Sequence, residues 1–268
     1  RQIGTRCALH PLATPHIGFL LERPSGAKLS DATSNAHLAL KAMASCLEKN
    51  YSHIQLVCAP ELEDVRPLLQ SGWIAEPRYS YRLDLTDTEA LWNRFDGNVR
   101  QAIRKAEKAG YTPDTGVYTP DEVSALVNNT MNRRGAVNPI PAKYFQEIFG
   151  ENALEGRRLI TGARTPEGRL AGVVGAVWDH HRAYYLIAST SPETLSTGVN
   201  SLLIWHLIQQ LAQRGIGELD FMGGNIPGVA RFKEGFNPRL VAGFRVERWT
   251  STWFRLIKTL SKRMLGRE

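Results

Sequence analysis

Three short strand patterns follow one another in the second half of the chain, and one long amphipathic helix pattern comes directly after them. The strand patterns cover residues 158–163, 169–178 and 182–189, with turn residues at 165–168 and 179–181. The helix pattern covers 200–214, with apolar residues at i, i+3 and i+4 spacing and Gly215 at its end. This succession predicts an antiparallel meander that packs against a helix, which restricts the fold more than any other part of the sequence does.

The rest of the chain also alternates between strand and helix patterns. Strands are predicted at 17–22, 53–58, 78–85, 218–222 and 240–249, and helices at 34–47, 61–70, 89–109, 121–133, 142–148 and 229–236. Thr86 and Asp87 are the expected cap of the 89–109 helix, and Gly110 is its expected end. Together the patterns predict an α/β (α+β) chain with mixed, mostly antiparallel sheets flanked by helices.

Composition excludes several classes of protein. The chain has 268 residues, of which 43% are hydrophobic and 22% charged, which is typical of a folded globular protein. The longest apolar run, residues 170–178, is far shorter than the roughly 18 residues that a membrane span needs. Cys7, Cys46 and Cys58 are far apart, which argues against a disulfide framework and predicts a cytoplasmic protein. Because the chain begins with Arg1, we expect the start of the gene product to be missing.

The positive charge of the chain is concentrated in its C-terminal two thirds. Residues 1–90 carry 9 Lys and Arg against 10 Asp and Glu, whereas residues 91–268 carry 24 against 16. Arg100, Arg104, Lys105 and Lys108 share one side of the 89–109 helix. This face is either an ordinary solvated surface or a phosphate-binding stripe, and Arg100 and Arg104 are candidate substrate-binding residues.

Several segments resemble a known family. The segment YSYRLDL at 79–85, with Leu91, Trp92 and IRKAEKAG at 103–110, resembles the joint between the two lobes of Fem-like acyltransferases, the peptidoglycan-bridge branch of the GNAT superfamily. The segments LDFMG at 219–223 and RFKEGF at 231–236 resemble the donor lobe of the same proteins. The resemblance implies two GNAT-like lobes, at 1–85 and 86–250. Separately, the helical spacing of apolar and basic residues predicts a basic amphipathic helix at 251–268.

The resemblance also implies site residues. In Fem-like transferases a Phe-Lys pair lies at the reacting carbonyl, which assigns Phe232 and Lys233 to catalysis, with Asp220 as a third candidate. Lys233 is otherwise an ordinary surface lysine, and Asp220 a buried capping carboxylate. Candidate donor-binding residues occupy the loops on either side of the long helix: Gly198, Asn200, Gly223, Gly224, Asn225 and Arg231. Tyr184 and Tyr185 are adjacent on a strand, so only one of them can line a cleft.

The identity of the acyl donor stays open. Residues 191–200 keep only Gly198 of the Q/R-x-x-G-x-G/A loop that ordinary GNAT enzymes use for coenzyme A, and residues 110–157 lack the long heptad pattern that tRNA-dependent Fem enzymes often carry. The donor is therefore acyl-CoA or an aminoacyl-tRNA, and no metal is expected, since His180 and His181 have no companions at ligand spacing.

The predicted function is N-acyl or aminoacyl transfer to an amine of an amino sugar or peptide precursor in cell-envelope or polysaccharide synthesis. No GxSxG elbow or neighbouring Cys-His pair supports a covalent enzyme intermediate. The expected partner is a phosphate-bearing small molecule, with tRNA as a further candidate. The alternative is a non-catalytic module of the same fold that binds nucleic acid or an anionic surface. The 251–268 helix either packs against the fold or lies on the inner face of the membrane.

Overall fold

The computed structural model describes residues 5–21, 26, 28–116, 118–133, 135–150, 153–165 and 167–264. In chain order its elements are β1 Cys7–Leu9, α1 Leu29–Asn50, β2 His53–Val57, α2 Arg66–Gln70, β3 Ile74–Asp84, α3 Thr88–Arg94, α4 Gly97–Lys108, α5 Pro120–Arg133, α6 Ala142–Phe149, β4 Arg158–Arg164, β5 Leu170–Trp178, β6 Arg182–Thr190, α7 Val199–Gln213, β7 Glu218–Asp220, α8 Pro227–Glu234, β8 Arg239–Trp249 and α9 Thr252–Met264. The predicted mixed α/β fold is confirmed.

Contacts divide the chain into two units. The first comprises Arg1–Tyr79 and Ala242–Glu268, and the second Ser80–Val241. The sequence placed the division after residue 85 and the last strand in the second lobe. The structure instead groups the C-terminal segment with the first unit, because β8 pairs with β2 in antiparallel register from His53 opposite Trp249 to Val57 opposite Arg245.

The first unit has a small apolar core. Its strands β1 and β2 are parallel, and β2 is antiparallel to β8. Leu40 of α1, Ile54 of β2, Leu68 of α2 and Val246 of β8 are almost completely buried in one cluster. Side chains from both helices therefore cover these strands.

The sheet of the second unit has the strand order β3-β7-β6-β5-β4. The predicted meander is present, since β4, β5 and β6 are antiparallel neighbours. Strands β6 and β7 are parallel, and their register runs from Arg182 opposite Glu218 to Tyr184 opposite Asp220. Strand β7 ends at Asp220, whereas β6 continues to Thr190, so a gap opens beside the second half of β6.

Helix α7 supplies much of the core of the second unit. Leu203, Ile204, Leu207, Ile208 and Leu211 are completely buried against the sheet and helix α4. Burial of such a side chain contributes about 1.5–3 kcal/mol, so this helix is well anchored. The start of α7 is consequently a rigid edge of the gap beside β6.

Two predicted elements were wrong. No strand forms at residues 17–21, where Gly18 has a φ of 138° and one backbone bond joins Ile17 to Val57; residues 22–25 lie outside the described residues. The 89–109 helix is two helices, because Phe95 and Asp96 are extended and the Asp96 N–H donates to the Gly235 carbonyl. Tertiary pairing there replaces the helical hydrogen bond that the amphipathic pattern predicts.

None of the described helices combines the length and the apolar character that crossing a membrane requires.

Candidate active site

A groove of about 1050 Å³ lies in the second unit where β6 and β7 diverge. One wall is the second half of β6, from Tyr185 to Thr190, and the start of α7 closes one end. Phe221 and Met222 follow β7, and Phe232 and Lys233 come from α8. A concave site with apolar walls and few polar groups is the usual setting for a small-molecule ligand.

Two residues that line this groove each carry a buried polar atom without a hydrogen-bond partner among the described residues. These atoms are the Tyr185 hydroxyl and the side-chain carbonyl oxygen of Asn200. Tyr185 is only 7% exposed, and burial raises the pKa of its hydroxyl well above the usual range, so the group stays a neutral donor. Buried polar groups in folded proteins almost always have partners, so these two atoms fit a ligand that carries polar groups.

Lys233 is the buried cation of the site. It is 6% exposed, and its ammonium donates to the carbonyls of Phe221 at 2.8 Å and Gly223 at 2.7 Å. Burial lowers the pKa of Lys233 to about 8, although the negative charge of Asp220 opposes that change. The structure excludes an ordinary surface lysine at this position. Two of the three N–H groups stabilise the segment after β7, and the ammonium lies 6.0 Å from the centre of the Phe221 ring.

Asp220 organises the end of β7. Its carboxylate is completely buried, accepts a hydrogen bond from Ser80, and receives the Nε–H of Arg82 at 3.2 Å. The Met222 N–H also donates to it, at 2.8 Å. Asp220 therefore caps the loop after β7, as the second of the two interpretations from sequence expected, and through this loop it positions the carbonyls that Lys233 binds.

The loop after β7 has an unusual backbone. Met222 has a φ of 52° and Gly223 a φ of 118°. Both angles are positive, in a region of backbone conformation that residues other than glycine rarely adopt. The Gly223 N–H donates to Ser80, and its carbonyl accepts from Lys233. These bonds offset the conformational cost, which is of the order of 1–3 kcal/mol for a non-glycine residue.

Gly198 allows the loop before α7 to lie directly on α4. It is the N-cap of α7 with a φ of 87°, and a Cβ there would stand 2.1 Å from the Ala102 carbonyl oxygen. The Lys105 ammonium donates to the Ser196 carbonyl of this loop at 2.7 Å. Gly198 is thus required by packing, in addition to its position on the groove.

The basic stripe of α4 divides into two roles. Arg100 donates to the carbonyls of Asn93 at 2.9 Å and Phe95 at 2.6 Å, so it stabilises the end of α3. Arg104 and Lys108 are exposed, and together with Lys105 and Ser196 they line a second, open cleft. We name Arg104, Lys105 and Lys108 the basic cleft. Because Ser196 also lines the groove, the basic cleft is its neighbour.

The remaining predicted site residues lie in several places. Arg231 lines the groove, whereas Gly223, Gly224 and Asn225 form the loop that precedes α8. Tyr184 points away from Tyr185, and its hydroxyl donates to Asp179 at 3.0 Å. The alternation of a strand thus selects Tyr185 as the tyrosine that lines the cleft.

Three residues of the site were missed from the sequence: Ser80, Arg82 and Phe221. The polar members of RYSYRLDL recur at every second position, which is a signal that one face of β3 binds polar partners. Phe221 was counted as part of a strand. Its role is visible only from its edge-on contact with Tyr185, at 5.6 Å between ring centres.

The described residues contain no group of three or more His, Cys, Asp or Glu that could hold a metal ion.

The model of the acetyltransferase (GNAT) domain family matches residues 93–234, just over half of the chain. No curated protein matches the chain. Among solved structures, FemX is 15% identical, with a TM-score of 0.62 over 81% of this chain and 77% of that one.

Two further structures have the same fold. L-PGS from Bacillus licheniformis is 14% identical, with a TM-score of 0.54 over 88% of this chain and 80% of that one. A tandem GNAT protein from the clavulanic acid biosynthesis pathway is 14% identical, with a TM-score of 0.52 over 92% of this chain and 76% of that one. At these identities the likeness concerns the fold.

Proposed function

This chain belongs to the GNAT acetyltransferase domain family, and we propose that it transfers an acyl group to an amine from a donor held in the groove between β6 and β7. The observation that carries the proposal is Lys233, a cation buried beside this groove whose ammonium donates to two backbone carbonyls. Strongly perturbed cations that line a cleft are candidates for catalytic groups.

The groove supports direct attack of the amine on the donor carbonyl. The carbon–nitrogen bond forms as the bond to the leaving group breaks, the amine loses a proton, and the leaving group takes one up. Negative charge develops on the carbonyl oxygen, and the third N–H of Lys233 is the donor that we assign to it. Phe232, which also lines the groove, separates the acyl group from water, and the neutral Tyr185 hydroxyl binds a polar atom of the donor.

The donor that we propose bears phosphates, as acyl-CoA and aminoacyl-tRNA both do. The basic cleft adjoins the groove at Ser196, which supports this assignment. The acceptor that we propose is an amine of an amino sugar or peptide precursor of the cell envelope. We place the reaction in the cytoplasm, in keeping with three free cysteines, Cys7, Cys46 and Cys58.

The test is to mix the protein with acetyl-CoA or with aminoacyl-tRNA and to follow thermal unfolding and the transfer of label to glucosamine and to amino-terminal peptides. A donor at 100 times its Kd should stabilise the fold by about 2.7 kcal/mol. Lys233→Ala should lower turnover by roughly 100-fold or more. Lys143→Ala is the matched control, since Lys143 is exposed and pairs with Glu147 four residues away. Full activity of Lys233→Ala would contradict the assignment.

A non-catalytic module that binds nucleic acid or an anionic surface is the second candidate, and the basic cleft is the observation that favours it. Binding of that kind should weaken steeply with salt and should depend on Arg104 and Lys108 but not on Phe232. Loss of donor binding in Phe232→Ala would exclude it.

A further inference from the structure

Helix α9 presents an apolar stripe to solvent. Four large side chains at i, i+3, i+4 and i+7 form it: Trp253 is 77% exposed, Leu256 52%, Ile257 45% and Leu260 55%. At 3.6 residues per turn these positions lie on one side of a helix. Scattered exposed apolar residues are ordinary on a protein surface, but a continuous stripe on one helix indicates a binding surface.

The start of α9 is fixed to the first unit, so the stripe has a defined orientation. Phe254, on a different side of the helix, is buried and lies 5.9 Å from the Trp249 ring. Trp249 in turn stacks on His53 at 3.6 Å between ring centres. The Thr250 N–H donates to the Ser52 carbonyl, which ties the chain before α9 to β2. The helix therefore packs against the first unit through the side that carries Phe254, and its most apolar side is exposed.

The charges of α9 indicate what covers this stripe. The sequence 252–264 contains four Lys or Arg and no Asp or Glu. Arg255 and Lys258 lie about 140–200° around the helix from Trp253, on the side opposite the stripe. An apolar face backed by basic residues, with tryptophan on the apolar face, is the arrangement of helices that lie in the plane of an anionic bilayer surface.

We propose that α9 binds the surface of a membrane that contains anionic phospholipids, with Trp253, Leu256, Ile257 and Leu260 inserted among the acyl chains. A second copy of the chain is a poorer occupant. Four side chains make a contact far smaller than the roughly 1,200 Å² of a stable interface. This proposal does not depend on the proposed acyl transfer.

The test measures binding of the whole chain to vesicles of phosphatidylglycerol with phosphatidylcholine and to vesicles of phosphatidylcholine alone, by co-sedimentation at low and high salt. We expect binding to the anionic vesicles that weakens with salt, and little binding to neutral ones. Trp253→Glu should weaken binding by at least about tenfold. Leu38→Glu is the matched control, since Leu38 is also an exposed apolar residue of a helix, at 68%.

Three results would overturn the proposal. One is the absence of binding to anionic vesicles at low salt. Another is equal binding by the wild-type chain and Trp253→Glu, with thermal unfolding showing that both are folded. The third is a dimer in solution that Trp253→Glu dissociates and that does not bind vesicles, which would assign the stripe to self-association.

Discussion

The two units differ in what they bury. Among the described residues, the first unit buries one ionisable side chain other than cysteine, His53, which bonds to Glu247 at 2.7 Å. The second unit buries Arg82, Asp220 and Lys233 around the end of one short strand, β7. Burial of charge costs free energy that apolar packing does not. This free-energy cost is concentrated where the groove opens, so the buried charges lower the stability of the second unit at the candidate active site.

Among the variants considered, Asp220→Ala should cause the largest loss in the free energy of unfolding. It removes the nearer of the two carboxylates that pair with buried Arg82, leaving Glu218 at 3.8 Å, and it removes the cap of the loop that Lys233 binds. The free energy of unfolding should therefore fall by about 3–5 kcal/mol. Urea unfolding measures it. Glu76→Gln in the first unit is the control, because Glu76 is exposed and its pair with Arg245, at 3.5 Å, should contribute at most about 1 kcal/mol. Equal losses in the two variants would remove the distinction between the units.

A cavity in the first unit should destabilise the protein without affecting ligand binding. Leu68 is completely buried in that unit, and Leu68→Ala should cost about 2–5 kcal/mol. Donor affinity, measured below the unfolding temperature, should be unchanged. Weaker donor binding in this variant would show that the apolar unit contributes to the site.

The dependence of the free energy of unfolding on pH should show the lowered pKa of Lys233. Its pKa is about 8 in the folded protein and about 10.5 when unfolded, so between these values the unfolded chain binds more protons. The free energy of unfolding of the wild-type chain, relative to Lys233→Met, should therefore rise from about pH 8 to about pH 10.5, by about 3 kcal/mol at most. Below pH 8 the difference should be constant. Urea unfolding of both proteins across this range tests the prediction, and a flat difference throughout would contradict it.

Removal of the Tyr185 hydroxyl should have the smallest effect: it should weaken donor binding and hardly change the free energy of unfolding. Because this buried group has no hydrogen-bond partner in the part of the chain that the structure describes, Tyr185→Phe should leave stability unchanged or raise it by about 1 kcal/mol. Donor binding should weaken by about tenfold, the loss of one hydrogen bond. Tyr184→Phe is the control at the adjacent position, since Tyr184 bonds to Asp179. A stability loss in Tyr185→Phe with unchanged donor binding would show a purely structural hydroxyl.

Much of the second unit could be predicted because its signals are local. The meander and α7 lie within one or two residues of their predicted bounds, since strand alternation and helical spacing extend over many residues. The break between α3 and α4 could not be predicted, because it depends on the bond from Asp96 to Gly235, far along the chain. The absence of a strand at residues 17–21 likewise depends on backbone geometry at Gly18.

The candidate site shows the same limit. Lys233, Asp220 and Tyr185 could be named from resemblance and alternation, but the partners of each could not. Arg100 shared its spacing with Arg104. Both line the cleft, and only the structure shows that Arg100 also donates to the carbonyls at the end of α3. Periodicity assigns a residue to a face, whereas hydrogen bonds depend on distances that several elements set together.

The sequence by itself determined the α/β class, the order of elements from β4 to α8, the basic character of the second half and the amphipathic character of α9. These properties depend on neighbours within one or two turns or along one strand. The tertiary structure alone decided that β6 and β7 diverge after Tyr184, that Lys233 is buried against two carbonyls, and that α9 packs through Phe254 and leaves Trp253 exposed. Each of these follows from the packing of segments distant in the chain, because burial and the pKa of a buried group are set by everything that surrounds it.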